Sequence, residues 1–251
     1  VKRLKSIDER VFPIMHQHIK PSNPFSIERD RAYKKENLIH SIEQLITDAF
    51  VDATLAPCSV EYEGIIRPYI EEWRCNFRSI SRKKLTYIFD YVYIACSTDD
   101  FYKNRNQSVI TSFLQELSFN SKLLPLGQVF FRGVKKQIGF QKVGDEITVM
   151  DRPLSMTLLP DVAASHADRN SCNNFGSRFL QSTIYVITNK CNKSKGYVVN
   201  HDDVDVNDEN IAQMMEHEFE IILSPPYKLK INLIQVIGDY EFLHISIEPL
   251  P

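Results

Sequence analysis

Residues 216–226 read EHEFEIILSPP. Glu216, Glu218 and Glu220 stand at every second position, and the chain then turns apolar at Ile221, Ile222 and Leu223. In a strand, alternate side chains share a face, so three carboxylates crowd together where an otherwise buried strand begins. Like charges at that spacing repel one another. Taken alone, the run fits an exposed strand end, where Glu discourages edge-to-edge aggregation. His217-Glu218 opens like the zinc motif HExxH, but the second His falls at Ile221, so no metal site is read here.

Working outward, the chain changes texture near residue 121. Beyond it lie short β-type runs bounded by turn residues: 128–134, 146–150, 182–188, 195–199, 219–224, 227–237 and 241–250. The last two read as a hairpin around Gly238-Asp239. Segments 161–167 and 208–217 read as short helices between strands. Before residue 121, apolar residues recur at helical spacing over 37–55, 66–77, 81–97 and 108–119, with Ser81 as an N-cap and Pro68 in a first turn. Residues 1–33, with Pro13, Pro21 and Pro24, read as short surface helices or turns. The expected class is α+β, with a helical region over 1–120 and a mostly antiparallel sheet over 121–251.

Composition narrows the function classes. The 251 residues are 43% hydrophobic and 25% charged, with a formal net charge of −2, so no strong field points to nucleic acid or an anionic membrane. The longest apolar runs are short and broken by charge, which argues against a membrane span. The basic start VKRLKSIDER has no apolar stretch behind it, so no signal peptide is read within this sequence, and a leader removed before it stays open. Cys58, Cys75, Cys96, Cys172 and Cys191 form no CxxC pair, and five is an odd number, so they read as free thiols of a reducing compartment. Eight glycines leave no GxGxxG and no GxxxxGK[ST]; any nucleotide must be held in another way.

Two further stretches bear on the carboxylates. FFRG (130–133) sets Arg132 inside an apolar strand, followed at once by Gly133. A strand-buried Arg needs a partner, and its planar fork suits phosphate or carboxylate. In RPLSMTLLPDVAASHA (152–167), Ser155 and Thr157 share a strand face, and a Pro and a small-residue segment follow. Ordinary strand polarity accounts for Ser155 and Thr157 taken singly.

Taken together, FFRGV, LSMTLLPDVA and EFEIILSPP resemble, in order and context, the R-S-E class of mono-ADP-ribosyltransferases, the cholera-toxin-like group that includes many bacterial toxins and effectors. That pattern is an aromatic-Arg-Gly strand, a Ser-Thr-Ser strand with a Pro and short helix after it, and E-x-E running into an apolar strand and Pro. The resemblance covers roughly residues 125–240. One departure is Ser-Met-Thr in place of Ser-Thr-Ser, which keeps hydroxyls at the first and third places. The register that fits takes Glu218 and Glu220 as the pair, since Glu216–Glu218 would bury Glu220 inside the strand.

The resemblance implies an ADP-ribosyltransferase-like β-sandwich and NAD as co-substrate, with no metal. Glu220 would stabilise the oxocarbenium-like charge as nicotinamide leaves. Ser155 would orient Glu220, Arg132 would grip the NAD phosphates, and Gly133 and Thr157 would belong to the same cofactor-binding set. Glu218 would face the acceptor, and in that class Glu at this place goes with arginine. Arginine's pKa lies above about 12, so Glu218 would align the guanidinium and take its proton late. Arg169, Phe175 and Arg178 on the following loop and Met214 and Met215 before the glutamates are candidate contacts. Solvated or packed side chains explain them as readily. The implied partner is a protein modified on arginine in a host cell, and the implied setting is a soluble bacterial effector delivered to the host cytoplasm. Three alternatives stay open: NAD hydrolysis or a non-arginine acceptor on the same fold, a two-carboxylate sugar hydrolase, and a non-catalytic α+β binding module in which Arg132 and the glutamates form an ion-pair network.

Overall fold

The computed structural model describes residues 85–95, 97–134, 142–158, 162–163, 166–167, 182–200, 220–237 and 240–250. The helices read at 37–55, 66–77 and 208–217 lie outside them, as do residues 1–33, Ser81 and every cysteine but Cys191, a buried free thiol. The described chain is a mixed α+β structure built on one large, mostly antiparallel sheet.

Helix α1 (Thr86–Phe89) runs straight into a π-turn (Asp90–Ile94), closed by the Ala95 N–H donating to the Asp90 carbonyl. The expected single helix over 81–97 therefore stops at Ile94, because Ala95 is extended at ψ 133°. A helix not read from the sequence follows, α2 (Thr98–Asn104). Its signals are local: the Ser97 hydroxyl accepts the Asp100 N–H at 3.1 Å, Asp99 and Asp100 sit in the first turn, and Lys103 sits in the last. Helix α3 (Gln107–Asn120) is capped by Asn106, which accepts the Val109 N–H, and buries Ile110, Phe113 and Leu117 along one stripe.

The strands are β1 (Lys122–Leu123), β2 (Val129–Val134), β3 (Glu146–Val149), β4 (Leu154–Thr157), β5 (Ser182–Asn189), β6 (Lys195–Val198), β7 (Glu220–Leu223), β8 (Tyr227–Ile237) and β9 (Tyr240–Glu248). They form a nine-stranded sheet in the order β1-β6-β7-β4-β2-β5-β9-β8-β3. Among the described strands only β5 and β9 pair in parallel. The register from Lys228–Glu248 to Ile237–Tyr240 makes β8 and β9 the hairpin expected around Gly238-Asp239. Among the described residues, strands β2 and β4 meet at a single residue pair, Phe131 with Thr157. A seam thus divides the sheet into halves of four and five strands, β1-β6-β7-β4 and β2-β5-β9-β8-β3.

Two apolar cores follow from strand alternation. Ile221 and Leu223 of β7 join the main core with Phe130, Met156, Ile184 and Phe242. Ile222, pointing the other way, joins Tyr197 of β6 and Val199 beneath the helices, against Phe101, Phe113 and Leu117. β7 is therefore covered on both faces, which explains its uninterrupted apolar run. The glycine of FFRG has a steric cause. A Cβ on Gly133 would lie 1.9 Å from the Ala163 carbonyl oxygen and 2.6 Å from the Ala167 nitrogen, so the backbone at Ala163 and Ala167 packs directly on the strand.

Gly133→Ala is expected to destabilise the protein by about 3 kcal/mol or more, at or beyond the upper end for overpacking. Gly196→Ala meets side-chain methyls of Ile221 and Leu124 at 3.0 Å, not backbone at 1.9 Å, and is expected to cost less. Urea midpoints of the two variants test this; equal midpoints would contradict it.

Candidate active site

The seam opens into a cleft of about 270 Å³, near the small end of ligand sites. Strands β2, β4 and β7, the π-turn, the start of α2 and the residues Val162, Ala163 and His166 wall it. In the β4–β7 ladder, Thr157 lies opposite Glu220 and Ser155 opposite Ile222. Ile222 faces the helices, so Ser155, Thr157 and Glu220 face them too. Ser155 and Glu220 are diagonal neighbours on that face, and the Ser155 hydroxyl donates to Glu220 Oε1. A carboxylate holding a hydroxyl proton on one oxygen has its plane fixed and its second oxygen left to other groups.

Arg132 enters from β2 across the seam. Its Nη1 donates to the Ser155 carbonyl at 2.5 Å. With no described ladder pair beyond Phe131–Thr157 on the Gly133–Ser155 side, the guanidinium reaches a backbone acceptor beside the gap. Arg132 Nε is buried and has no hydrogen-bond partner among the described residues. An orphaned donor on a cation costs free energy unless an acceptor completes it, and an anionic ligand does that well.

The structure brings Arg132, Gly133, Ser155, Thr157 and Glu220 to one cleft wall. Glu218, Glu216, Arg169, Phe175, Arg178, Met214 and Met215 lie outside the described residues. Four lining residues with polar groups escaped the sequence reading: Tyr91, Ser97, Thr98 and His166. The segment 87–93 reads as core, and Tyr91 is indeed only 6% exposed. Nothing in a helical period separates a core residue from one that is both core and cleft wall. His166 sits on the small-residue segment after Pro160, whose packing on Gly133 brings it to the cleft.

Tyr91 is held on three sides. It stacks on Phe113 of α3 with centroids 4.6 Å apart, meets Phe101 of α2 edge-on at 5.3 Å, and its hydroxyl shares a 2.7 Å hydrogen bond with Thr98. Burial pushes its pKa up to about 12; the Glu220 charge adds to the rise, and the Thr98 hydrogen bond and Arg132 oppose it. Burial also raises Tyr102 and Tyr227, and Arg152 lies over the Tyr102 ring at 4.9 Å. The cleft thus combines a fixed carboxylate, an arginine whose Nε has no partner among the described residues and an aromatic wall. That suits a polar anionic ligand with a reacting centre beside a carboxylate.

No protein-family model matches this chain, and no curated protein does. Among solved structures it is similar to Vis toxin, an ADP-ribosyltransferase from Vibrio splendidus, at 14% identity over 95% of this chain and 91% of that one, with a TM-score of 0.37. It is also similar to BECa, an ADP-ribosylating toxin of a binary enterotoxin of C. perfringens determined with NADH (14% identity, 72% of this chain, 47% of that one, TM-score 0.48). A third likeness is exoenzyme S from Pseudomonas aeruginosa, determined with human 14-3-3 protein beta and carba-NAD (15% identity, 81% and 76%, TM-score 0.36). These are weak likenesses of overall shape, and the chemistry rests on the residues of the cleft.

Unfolded tyrosine ionises near pH 10, so between about pH 10 and 12 the native protein holds a proton on Tyr91 that the unfolded chain has lost. The stability from burying Tyr91 neutral is complete below pH 10 and is lost as pH rises toward 12. Tyr91→Phe is expected to flatten the fall in stability across that window by up to about 1.4 kcal/mol per pH unit. Urea denaturation at pH 9 and pH 11 measures it; parallel curves for the two proteins would refute the assignment.

Proposed function

We propose that this protein is an R-S-E-type mono-ADP-ribosyltransferase that moves ADP-ribose from NAD to an arginine of a target protein. The observation that carries the reading is the meeting of Arg132, Ser155 and Glu220 from separate strands at one cleft, with Ser155 donating to Glu220. The orphaned Arg132 Nε supports a fit to the NAD diphosphate. The toxins to which the chain is similar point the same way: BECa was determined with NADH and exoenzyme S with carba-NAD.

In this reading Arg132 holds phosphate and Glu220 sits at the nicotinamide ribose. The bond between C1′ and the nicotinamide nitrogen breaks, and its electron pair leaves with nicotinamide. Positive charge grows on the ribose, and the carboxylate of Glu220 stabilises it. Ser155 keeps that carboxylate oriented, so little reorganisation is needed as the charge forms. A guanidinium nitrogen of the acceptor then bonds to C1′, and Glu218 receives its proton. Glu218 is assigned from its place in Glu218-Phe219-Glu220. Residues 1–120 act as the helical part that covers the cleft and selects the target, and 121–251 as the catalytic core. The target is a host protein and the chain a bacterial effector.

Nicotinamide release from NAD, with and without a eukaryotic lysate, tests the proposal. Glu220→Gln is expected to lower release by at least about 100-fold, the size of losing one preorganised electrostatic contact. Glu218→Gln is expected to keep basal release and lose the lysate-dependent label on protein. Label that persists on residues other than arginine would move the acceptor. Basal release without label would make the protein an NAD glycohydrolase. An unaltered protein that neither cleaves NAD nor gains thermal stability from it would leave a binding module with a structural ion-pair network.

A further inference from the structure

The cleft wall carrying Tyr91 is held in place from a distance. Helix α1 begins with N–H groups that have no partner inside the helix. The Glu116 carboxylate of α3 takes three of them: Thr86 N–H at 3.2 Å, Tyr87 N–H at 2.8 Å and Ile88 N–H at 2.7 Å. Glu116 is separated by 28 to 30 residues from the groups it caps, so this is a tertiary cap. It combines an anion at a helix N-terminus with charge-assisted hydrogen bonds. Phe113, one turn before Glu116 on α3, is the ring that stacks on Tyr91. At the other end of the segment, Asp90 opens the π-turn and receives Arg105 as a fork, Nε and Nη2 each at 2.6 Å. π-turns are uncommon and concentrate at functional sites, and this one presents Tyr91, Val92 and Ala95 together near the cleft.

We infer that Glu116 is a positioning residue for the cleft: by capping α1 it sets the π-turn so that Tyr91 walls the space beside Glu220 and Arg132. Glu116 does not line the cleft. It acts through Tyr91, whose hydroxyl shares a hydrogen bond with Thr98 and whose aromatic side chain walls the cleft. Such a wall contributes to holding a ligand more than to the bond-breaking step, so the effect belongs in KM rather than kcat. The inference rests on the NAD reading for its catalytic consequence, while the placement of Tyr91 can be measured without NAD.

The experiment compares Glu116→Ala, Glu116→Gln, Tyr91→Ala and the Glu116→Ala/Tyr91→Ala double variant. The first readout is nitration of Tyr91 by tetranitromethane, followed by mass spectrometry. The ring is protected in the unaltered protein, and Glu116→Ala is expected to speed its nitration several-fold. Glu116→Gln keeps one oxygen acceptor and should fall between. The second readout is steady-state NAD cleavage. Glu116→Ala is expected to raise KM for NAD about tenfold with kcat within about threefold. In the Tyr91→Ala background the same change should leave KM where it is, because residues acting as a unit do not add. Unchanged nitration in both Glu116 variants overturns the inference whatever NAD does. So does additivity of the two KM effects, or a loss of thermal stability with KM unmoved. If Glu116→Ala fails to fold, Glu116→Gln alone decides on the same criteria. An unaltered protein that cleaves no NAD defeats the proposed function and the catalytic role of Glu116 with it. Normal cleavage with an unaltered KM in the variants defeats the role of Glu116 alone.

Discussion

The register between β4 and β7 is the constraint on which the rest of the site depends. Thr157 opposite Glu220 and Ser155 opposite Ile222 place hydroxyls and carboxylate on the helix-facing side. Met156, Ile221 and Leu223 go to the main core. A slip of one residue would exchange those faces, burying Glu220 in the apolar core and turning Ile221 to the cleft. The apolar alternation that stabilises the sheet is therefore the same feature that aims the carboxylate. Stability and site geometry are not separate designs here, because both follow from a pleat with period two.

The seam between β2 and β4 is the second constraint. Most neighbouring strands in the sheet pair over several residues, but among the described residues these two pair at one. Opening the ladder leaves backbone polar groups that need partners, and Arg132 supplies one by donating to the Ser155 carbonyl. The same opening lets a side chain from one half of the sheet approach side chains of the other. Gly133 then allows the backbone at Ala163 and Ala167 to lie against the strand, which closes one side of the gap. The Arg-Gly pair thus has two distinct physical causes. One is a charge that must be matched, and the other is a missing side chain that makes room for backbone.

The helical wall is organised by polar contacts rather than by its apolar stripe alone. Phe101, Phe113 and Leu117 supply the packed surface under α1–α3. Packing of that kind tolerates small rotations, whereas three N–H groups converging on Glu116 and a bidentate Arg105–Asp90 pair have defined directions. The exposed pair of Arg152 with Asp99 contributes little by itself, being half or more in solvent. Its place beside Tyr102 joins α2 to the segment leading into β4.

Much of the sheet was legible in the sequence. Period-two runs with turn residues between them located most of the strands, and Gly238-Asp239 located the β8–β9 hairpin, since these signals are local. Helix α3 was legible for the same reason. Helix α2 had its cap and its acidic first turn in plain view, but the apolar segment before it hid the break at Ala95, because a π-turn keeps the helical texture while changing its phase. Arg132, Ser155, Thr157 and Glu220 stood out as chemistry-bearing residues in strands. Their assembly at one cleft was decided only by tertiary structure, through a ladder register and a one-pair seam that no single segment encodes. Tyr91, Thr98, His166 and Glu116 were invisible for a related reason. Each owes its role to a partner far away in the chain, and a one-dimensional pattern records what a segment buries but not what it is buried against.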